Sequence, residues 1–372
     1  LLTFEPDLSS AWTSDELTEM QEAMQSEGLA WHYLAYHKRF SALATAYDIF
    51  RGAWKVRELI KAKQLDILHG RVHVPTLMGA LARKFSRRKP KLLFDIRGFF
   101  PEEYTEAGIW PEGGLIYRGV KRVEKWLMKE ADAFVVLTQK ARNVLFGDDP
   151  ETGRMVEVIP CCVDLEKRFS ADRDSERCRI RSEMQLENRF VFVHAGALGG
   201  LYLTEQIADL LEAARLRDPL TFAMFLTHSN PALIRPLLEA RGFSENDFFI
   251  GQVNPEEVPA YLFAADAGIS FVKAGYATQS RSPTKIPEYL ACGLPLVANR
   301  GVGDVDELIT EGRIGVTVEE FSSKGYAESL AALEELGDIS QRCQSAARSG
   351  FDLVDIGGKR YRSLYKRLAV DK

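Results

Sequence analysis

The chain has 372 residues, roughly two to three times a common domain, so two domains sharing a cleft is the first expectation and one small binding module is excluded. Hydrophobic residues at 46% and charged residues at 27% supply apolar area for real cores, which excludes a disordered chain. Lys plus Arg (48) against Asp plus Glu (53) leaves a net charge of −5, no field for gathering nucleic acid, so an anionic ligand must be held by a local site.

No apolar run approaches the roughly 20 residues that cross a bilayer. The opening LLTFEPDLSS lacks a basic n-region and an h-region, so a soluble, cytoplasmic, unexported chain is expected; no Met opens it, which leaves room for a missing initiator segment. Cys161, Cys162, Cys178, Cys292 and Cys343 are odd in number and contain no C-x-x-C, so reduced thiols are expected.

Short runs of Val, Ile, Leu and Phe alternate with longer stretches of helical period, the pattern of a parallel sheet covered on both faces. Strands are expected at residues 1–4, 29–34, 65–68, 92–96, 133–137 and 156–159, with helices at about 14–27, 43–63, 76–86, 115–130 and 138–146. After Pro160 the run EKRFSADRDSERCRIR (166–181) reads as a linker and then an exposed helix. A second series of strands follows at 190–194, 220–226, 247–250, 267–272, 294–298 and 314–318. Residues 340–370 keep helical period and either cap the second domain or cross back to the first. The expected division is 1–165, 166–350 and a C-terminal helix, 351–372, and the cleft between two doubly wound halves is the default active site.

Two segments can carry chemistry. His194-Ala-Gly196-Ala-Leu-Gly199-Gly200 leaves a buried strand and enters a helix near 201–215. Glycines at such a turn let the backbone approach a phosphate, and the free amides and helix dipole attract it. The spacing is not G-x-G-x-x-G, so the dinucleotide fingerprint fails, and an ordinary tight turn is the alternative. The second segment is Arg281-Ser282-Pro-Thr284-Lys285-Ile-Pro287-Glu288, running on to Gly293. Pro287 suits only a first turn, so a helix is expected with Thr284 as its cap, Lys285 and Glu288 one turn apart on one side, and Gly293 at its end. Cations at a helix start suit a diphosphate and a carboxylate one turn deeper suits a ribose diol. An ion pair on a solvated helix is the plainer alternative. His69 and His73 are four apart, but a strand end and Pro75 intervene, so loop histidines are expected rather than metal ligands.

The order of these segments resembles family-four glycosyltransferases, retaining enzymes of the GT-B fold. The likeness is carried by FIGQV (249–253), PEEVPAYL (255–262), ADAGIS (265–270) and SPTKIPEYLACGLP (282–295). In the first half it is carried by LDILHGRVH (65–73), LLFDIRGFFPEE (92–103) and ADAFVVLT (131–138). The resemblance implies an α/β chain with two Rossmann-like doubly wound parallel-sheet domains facing a cleft. It implies transfer of a hexose or N-acetylhexosamine from a nucleotide sugar, UDP-linked by default, to a glycan or lipid-linked acceptor. Carried over by position, Glu288 would bind the ribose, Lys285 and Arg281 would neutralise the diphosphate, and Gly196 and Gly199 would line the phosphate loop. Ser282 and Thr284 would frame the donor, and backbone near Gln252 and Val253 would face the base. The family needs no metal or other cofactor, and neither a nucleic-acid partner nor a protein nucleophile is implied.

Two departures matter. Many relatives carry a Glu that contacts the donor sugar where this chain has Ser280, and many carry Arg and Lys in the glycine loop where this chain has Ala197-Leu-Gly-Gly-Leu. The S-P-x-K-x-x-E form and a D-x-R segment, here Asp95-Ile-Arg97, look like amino-sugar transferases of bacterial surface-polysaccharide synthesis. By that likeness Arg97 and Asp95 face the transferred sugar or the acceptor, with His69, Arg71 and Glu102 on the acceptor side; a strand-end salt bridge is the alternative for Arg97 and Asp95. The run RKFSRRKPK (83–91) holds six Lys or Arg, and Lys121, Arg122, Lys125 and Lys129 share a helix. Such a face suits anionic lipid headgroups on the inner side of a membrane, or is simply solvated. Rival activities are a nucleotide-sugar 2-epimerase or phosphorylase of the same fold, and a sugar-nucleotide binding subunit without catalysis.

Overall fold

The computed structural model describes residues 1–6, 13–37, 41–147 and 154–370. The architecture is α/β with parallel sheets in two Rossmann-like halves. Its compact units do not follow chain order. The first comprises Leu1–Asp95, Arg122–Ala133 and Leu368–Lys372, the second Ile96–Lys121 and Phe134–Arg367.

In the first unit, β1 (Leu2–Pro6) pairs in parallel with β2 (His32–Tyr36), and β3 (Ile67–Arg71) with β4 (Lys91–Ile96). The long helix Ser41–Lys63 and the helix His73–Lys84 lie in this unit. His73 opens the latter and is buried, its Nε2 2.9 Å from Glu124 Oε2, which corrects the expected loop histidine to one at the start of a helix.

In the second unit, β5 (Ala133–Val136) neighbours β6 (Met155–Val158), and six parallel strands form the larger sheet. These are β7 (Phe190–Ala195), β8 (Thr221–Leu226), β9 (Phe248–Gly251), β10 (Ala267–Ser270), β11 (Leu296–Asn299) and β12 (Gly315–Val318), in the order β12-β11-β10-β7-β8-β9. Alternate side chains supply two cores. Val191, Val193, Met224 and Leu226 pack to one side with the helix Lys285–Ala291, while Phe192, Ala223, Phe225 and Ile269 pack to the other with the helix Thr204–Arg217. Burial on both faces is why these strands read as continuous apolar runs.

Three stretches differ from expectation. The 166–181 run is not wholly exposed: in the helix Arg173–Glu183, Arg181 is buried and donates to the carbonyls of Ala264 and Leu186 and to Asp266. A charged residue that ties down main-chain carbonyls has the same one-letter signature as a solvated one. The 340–370 stretch is broken into Ser340–Phe351, a wide turn at Leu353–Gly358 and Lys359–Val370. Asp352 breaks it by adopting an extended conformation and accepting from the amides of Val354 and Asp355. The short helix Phe100–Glu106 has too few residues to show a period.

Tyr289 anchors the helix Lys285–Ala291. It is fully buried, its hydroxyl accepts from Ala195 N at 2.8 Å, and its ring fills the space a side chain on Gly268 would need, since a Cβ there would lie 2.3 Å from Tyr289 Cδ2. Gly268→Ala should therefore destabilise the second unit by about 1–3 kcal/mol or more through overpacking, read as a lower urea midpoint at unchanged slope.

Candidate functional site

From β7 the larger sheet grows through β8 to β9, and from β10 it grows the opposite way through β11 to β12. The winding therefore reverses between β7 and β10, the place beyond whose carboxyl ends sheets of this kind take their ligands. The loops leaving the two strands are laced together. Tyr202 and Val272 form an antiparallel bridge, Lys273 N donates to Leu201 O at 2.8 Å, and Leu203 N donates to Phe271 O at 3.3 Å.

Gly196, Gly199 and Gly200 turn the first loop with φ of +115°, +73° and +63°, a region that glycine enters without penalty. Their amides are less free than the sequence suggests. Gly196 N donates to Leu226 O, Leu198 N to Ser229 Oγ and Gly199 N to Thr204 Oγ1. The charge of the site comes from Lys285, which is 5% exposed. Its Nζ lies 3.6 Å from the position a Gly196 side chain would occupy and 4.5 Å from the centroid of the Tyr202 ring. The glycine turn and the helix start thus meet. Burial pushes the Lys285 pKa down to about 7, with nearby Glu288 opposing the shift.

His194 lies under this lysine. It is buried, and its Nε2 is 3.1 Å from Ala197 O and 3.4 Å from Lys285 Nζ. A neutral ring serves one of these at a time, donating to the carbonyl or accepting from the ammonium. Burial first, and Lys285 second, hold its pKa down to about 3, so it is neutral wherever Lys285 titrates. One turn into the helix, Glu288 pairs with Arg168 Nη1 at 2.8 Å, and burial raises its pKa against the pull of Arg168 and Lys285. Thr284 precedes the helix as expected, but it has helical dihedrals and its side chain caps nothing, which corrects the expected cap.

The segment before Lys285 is fastened by hydrogen bonds. Ser280 Oγ accepts from Phe99 N and donates to Ala277 O, and Ser282 Oγ accepts from Cys161 N. Arg281 faces Glu103, Nη2 to Oε1 3.6 Å, so its charge is partly answered inside the protein. A mainly apolar cavity of about 180 Å³ beside this segment is lined by Pro283, Ile286 and Leu308 and leaves Lys285 outside.

The remaining expected residues fall into separate groups. Asp95 is buried at the end of β4, 3.4 Å from His69 Nε2, and lies across the strand pair from Arg71. Arg97 reaches Cys161 Sγ at 3.4 Å, and Glu102 accepts from the Tyr117 hydroxyl and pairs with Lys121 at 3.0 Å. Gln252 and Val253 follow β9, with Gln252 exposed and Val253 packed against the core. Among the described residues, no group of three or more His, Cys, Asp or Glu is arranged to hold a metal. Sequence reasoning missed His194, Tyr202 and Arg168. A histidine closing an otherwise apolar strand was the available signal for the first; Arg168 sat unmarked in a charged run.

Residues 17–167 match the family described as Glycosyltransferase Family 4, and residues 187–350 match Glycosyl transferases group 1. The 2-deoxystreptamine glucosyltransferase of Streptomyces kanamyceticus is 24% identical over 151 residues, a stretch that covers 40% of this chain and 38% of that protein. Among solved structures, Anabaena Alr3699/HepE in complex with UDP and glucose matches with a TM-score of 0.68 at 16% identity, covering 98% of this chain and 99% of that one. Sucrose-phosphate synthase from Thermosynechococcus elongatus matches with a TM-score of 0.65 at 15% identity, again over 98% and 99%. At such identities the likeness is one of fold.

The buried lysine has a measurable signature. Lysine ordinarily titrates near 10.5, whereas Lys285 titrates at about 7 in the folded protein. Below pH 7 both states are protonated and the cost of burying the charge is complete. Between 7 and 10.5 the native state is neutral while the unfolded chain keeps its proton, so stability rises with pH across that window. Lys285→Met should stabilise the ligand-free protein at pH 6, and by about 2–3 kcal/mol more than at pH 9, in paired urea titrations. Equal gains at the two pH values would show that the amine is not desolvated.

Proposed function

We propose that this chain, which belongs to the glycosyltransferases and has their GT-B fold, transfers a hexose or N-acetylhexosamine from a UDP-sugar to a glycan or lipid-linked acceptor with retention of anomeric configuration. The observation that carries the reading is the Lys285 ammonium enclosed against Gly196 where the sheet's winding reverses. Breaking the anomeric bond leaves negative charge on a diphosphate. A cation already held in a low-dielectric site stabilises that charge with little reorganisation. Lys285 takes the main electrostatic role, Arg281 assists, and Glu288, steadied by Arg168, offers a carboxylate to the ribose diol. Neutralisation by lysine requires no metal, and a retaining route in which the departing phosphate takes the acceptor proton on the same face requires no opposed carboxylate pair.

Arg97, Asp95, His69, Arg71 and Glu102 are proposed for the acceptor side, and the product for cell-surface polysaccharide synthesis at the inner face of a membrane. No helix among the described residues is long and apolar enough to cross one. The curated relative's name supports a glycosyl acceptor that is itself a sugar or cyclitol, as 2-deoxystreptamine is.

Two measurements test the assignment. Lys285→Ala should lower turnover at least about tenfold, roughly 1.4 kcal/mol of transition-state stabilisation, with the fold intact by circular dichroism. Near-normal transfer by that variant would remove Lys285 from the mechanism. In a thermal-shift series of UDP-, GDP- and ADP-sugars, only the uridine nucleotides should raise Tm, since a ligand that binds only the native state stabilises it; a shift confined to another base would overturn the donor.

A further inference from the structure

We propose that the first unit docks on an anionic lipid surface through an exposed aromatic stripe on the helix Ser41–Lys63 and the basic turn against its end. Leu43, Tyr47, Phe50 and Trp54 recur at helical spacing and are 83%, 55%, 69% and 62% exposed. The inward side of this helix already buries Ala53 and Ile60, so the stripe is a second apolar face, left in water. Scattered surface hydrophobes need no explanation, but four large ones in one row mark a binding face.

The stripe's surroundings identify the occupant. The Arg57 guanidinium lies 5.2 Å from the Trp54 ring centroid, and its Nε donates to Phe85 O at 2.9 Å, which joins the stripe to the 83–91 turn. Phe85 is itself 67% exposed, between Lys84 on one side and Arg87 on the other, both exposed. Arg83 and Lys91, at the two ends of that run, pair with Asp132 and are not available to a partner. Asp48, within the stripe's span, is buried and bonded to His37, and the exposed Glu58 one turn beyond Trp54 is taken up by Lys55 and the Trp54 indole N–H. What faces outward is a row of aromatic and aliphatic side chains continued by cations. Rings of this kind settle at headgroup depth, and arginine and lysine reach the phosphates beside them. The inference rests on the surface of the first unit and stands apart from the donor-site reading.

Pelleting of the whole chain with phosphatidylcholine vesicles, with and without phosphatidylglycerol at about one third, tests it. The wild type should bind the anionic vesicles at least about tenfold more tightly than the neutral ones at low salt, and high salt should remove most of that difference. Phe50→Ser with Trp54→Ser should lose about tenfold on anionic vesicles at unchanged Tm, and Lys84→Gln with Arg87→Gln should lose the preference for them. Brominated lipid should quench the wild type more than Trp54→Phe. If both double variants pellet like the wild type, or if the wild type binds no vesicle, the proposal is overturned. Self-association in sedimentation velocity that Phe50→Ser with Trp54→Ser abolishes, without vesicle binding, would give the stripe to a second copy.

Discussion

The packing of Tyr289 into the space left by Gly268 is the contact on which the site depends. Glycine at 268 lets the helix Lys285–Ala291 approach β10 closely, and the Tyr289 hydroxyl then closes the register by accepting the amide of Ala195 and donating to Ile269 O. Lys285 is one turn earlier in the same helix, so the anchor that seats Tyr289 also fixes where the lysine stem emerges. β7 ends at that same Ala195, and Gly196 follows at once. This core contact therefore joins the helix that carries the cation to the strand that ends at the glycine turn.

A cation held in this way is costly without an anion. The nearest carboxylate on its helix, Glu288, makes its ion pair with Arg168, and His194 is kept neutral by its own burial. The cost appears as the lowered proton affinity of Lys285, and the diphosphate of the proposed donor would relieve it by supplying the missing countercharge. The same arrangement would disfavour neutral ligands there, because only an anion restores what the lysine lost on burial. Proton uptake would then accompany anion binding above neutral pH, where the amine is largely uncharged without a ligand.

The alternation of apolar runs with helical period showed the parallel α/β architecture and most strands to within a few residues, because strands buried on both faces have no polar positions to blur them. Lys285 and Glu288 were legible as a pair because Pro287 tolerates only one placement of the helix start. What surrounds them was not. Nothing local distinguishes Arg168, which holds Glu288, from Arg181, which ties down carbonyls, since both stand in the same charged run and differ only in what the fold brings to them. Gly196 and Gly199 were rightly marked as turn residues, yet their amides are spent on Leu226 O and Thr204 Oγ1, partners that sequence spacing does not reveal. Thr284 sits at a helix start and caps nothing, because the chain enters from an already helical conformation.

The segment that carries Lys285 is also held along its preceding stretch. Glu106 accepts from Ala277 N, Thr138 donates to Gln279 O, Ser280 accepts from Phe99 N and Ser282 accepts from Cys161 N. These bonds reach four places in the first half of the sequence, which is why residues 96–121 and 134–165 belong to the same compact unit as the larger sheet. Ser280 is the telling member. It is buried, and its hydroxyl both accepts from Phe99 N and donates to Ala277 O, so a serine there serves as a strut, a role an ionised glutamate could not fill because it has no hydrogen to donate. On the proposed reading, recognition of the group attached to a diphosphate would fall to side chains other than Ser280, whereas the charge of the diphosphate would be met by Lys285. Charge and selectivity would then be carried by different residues, and a change in one need not disturb the other.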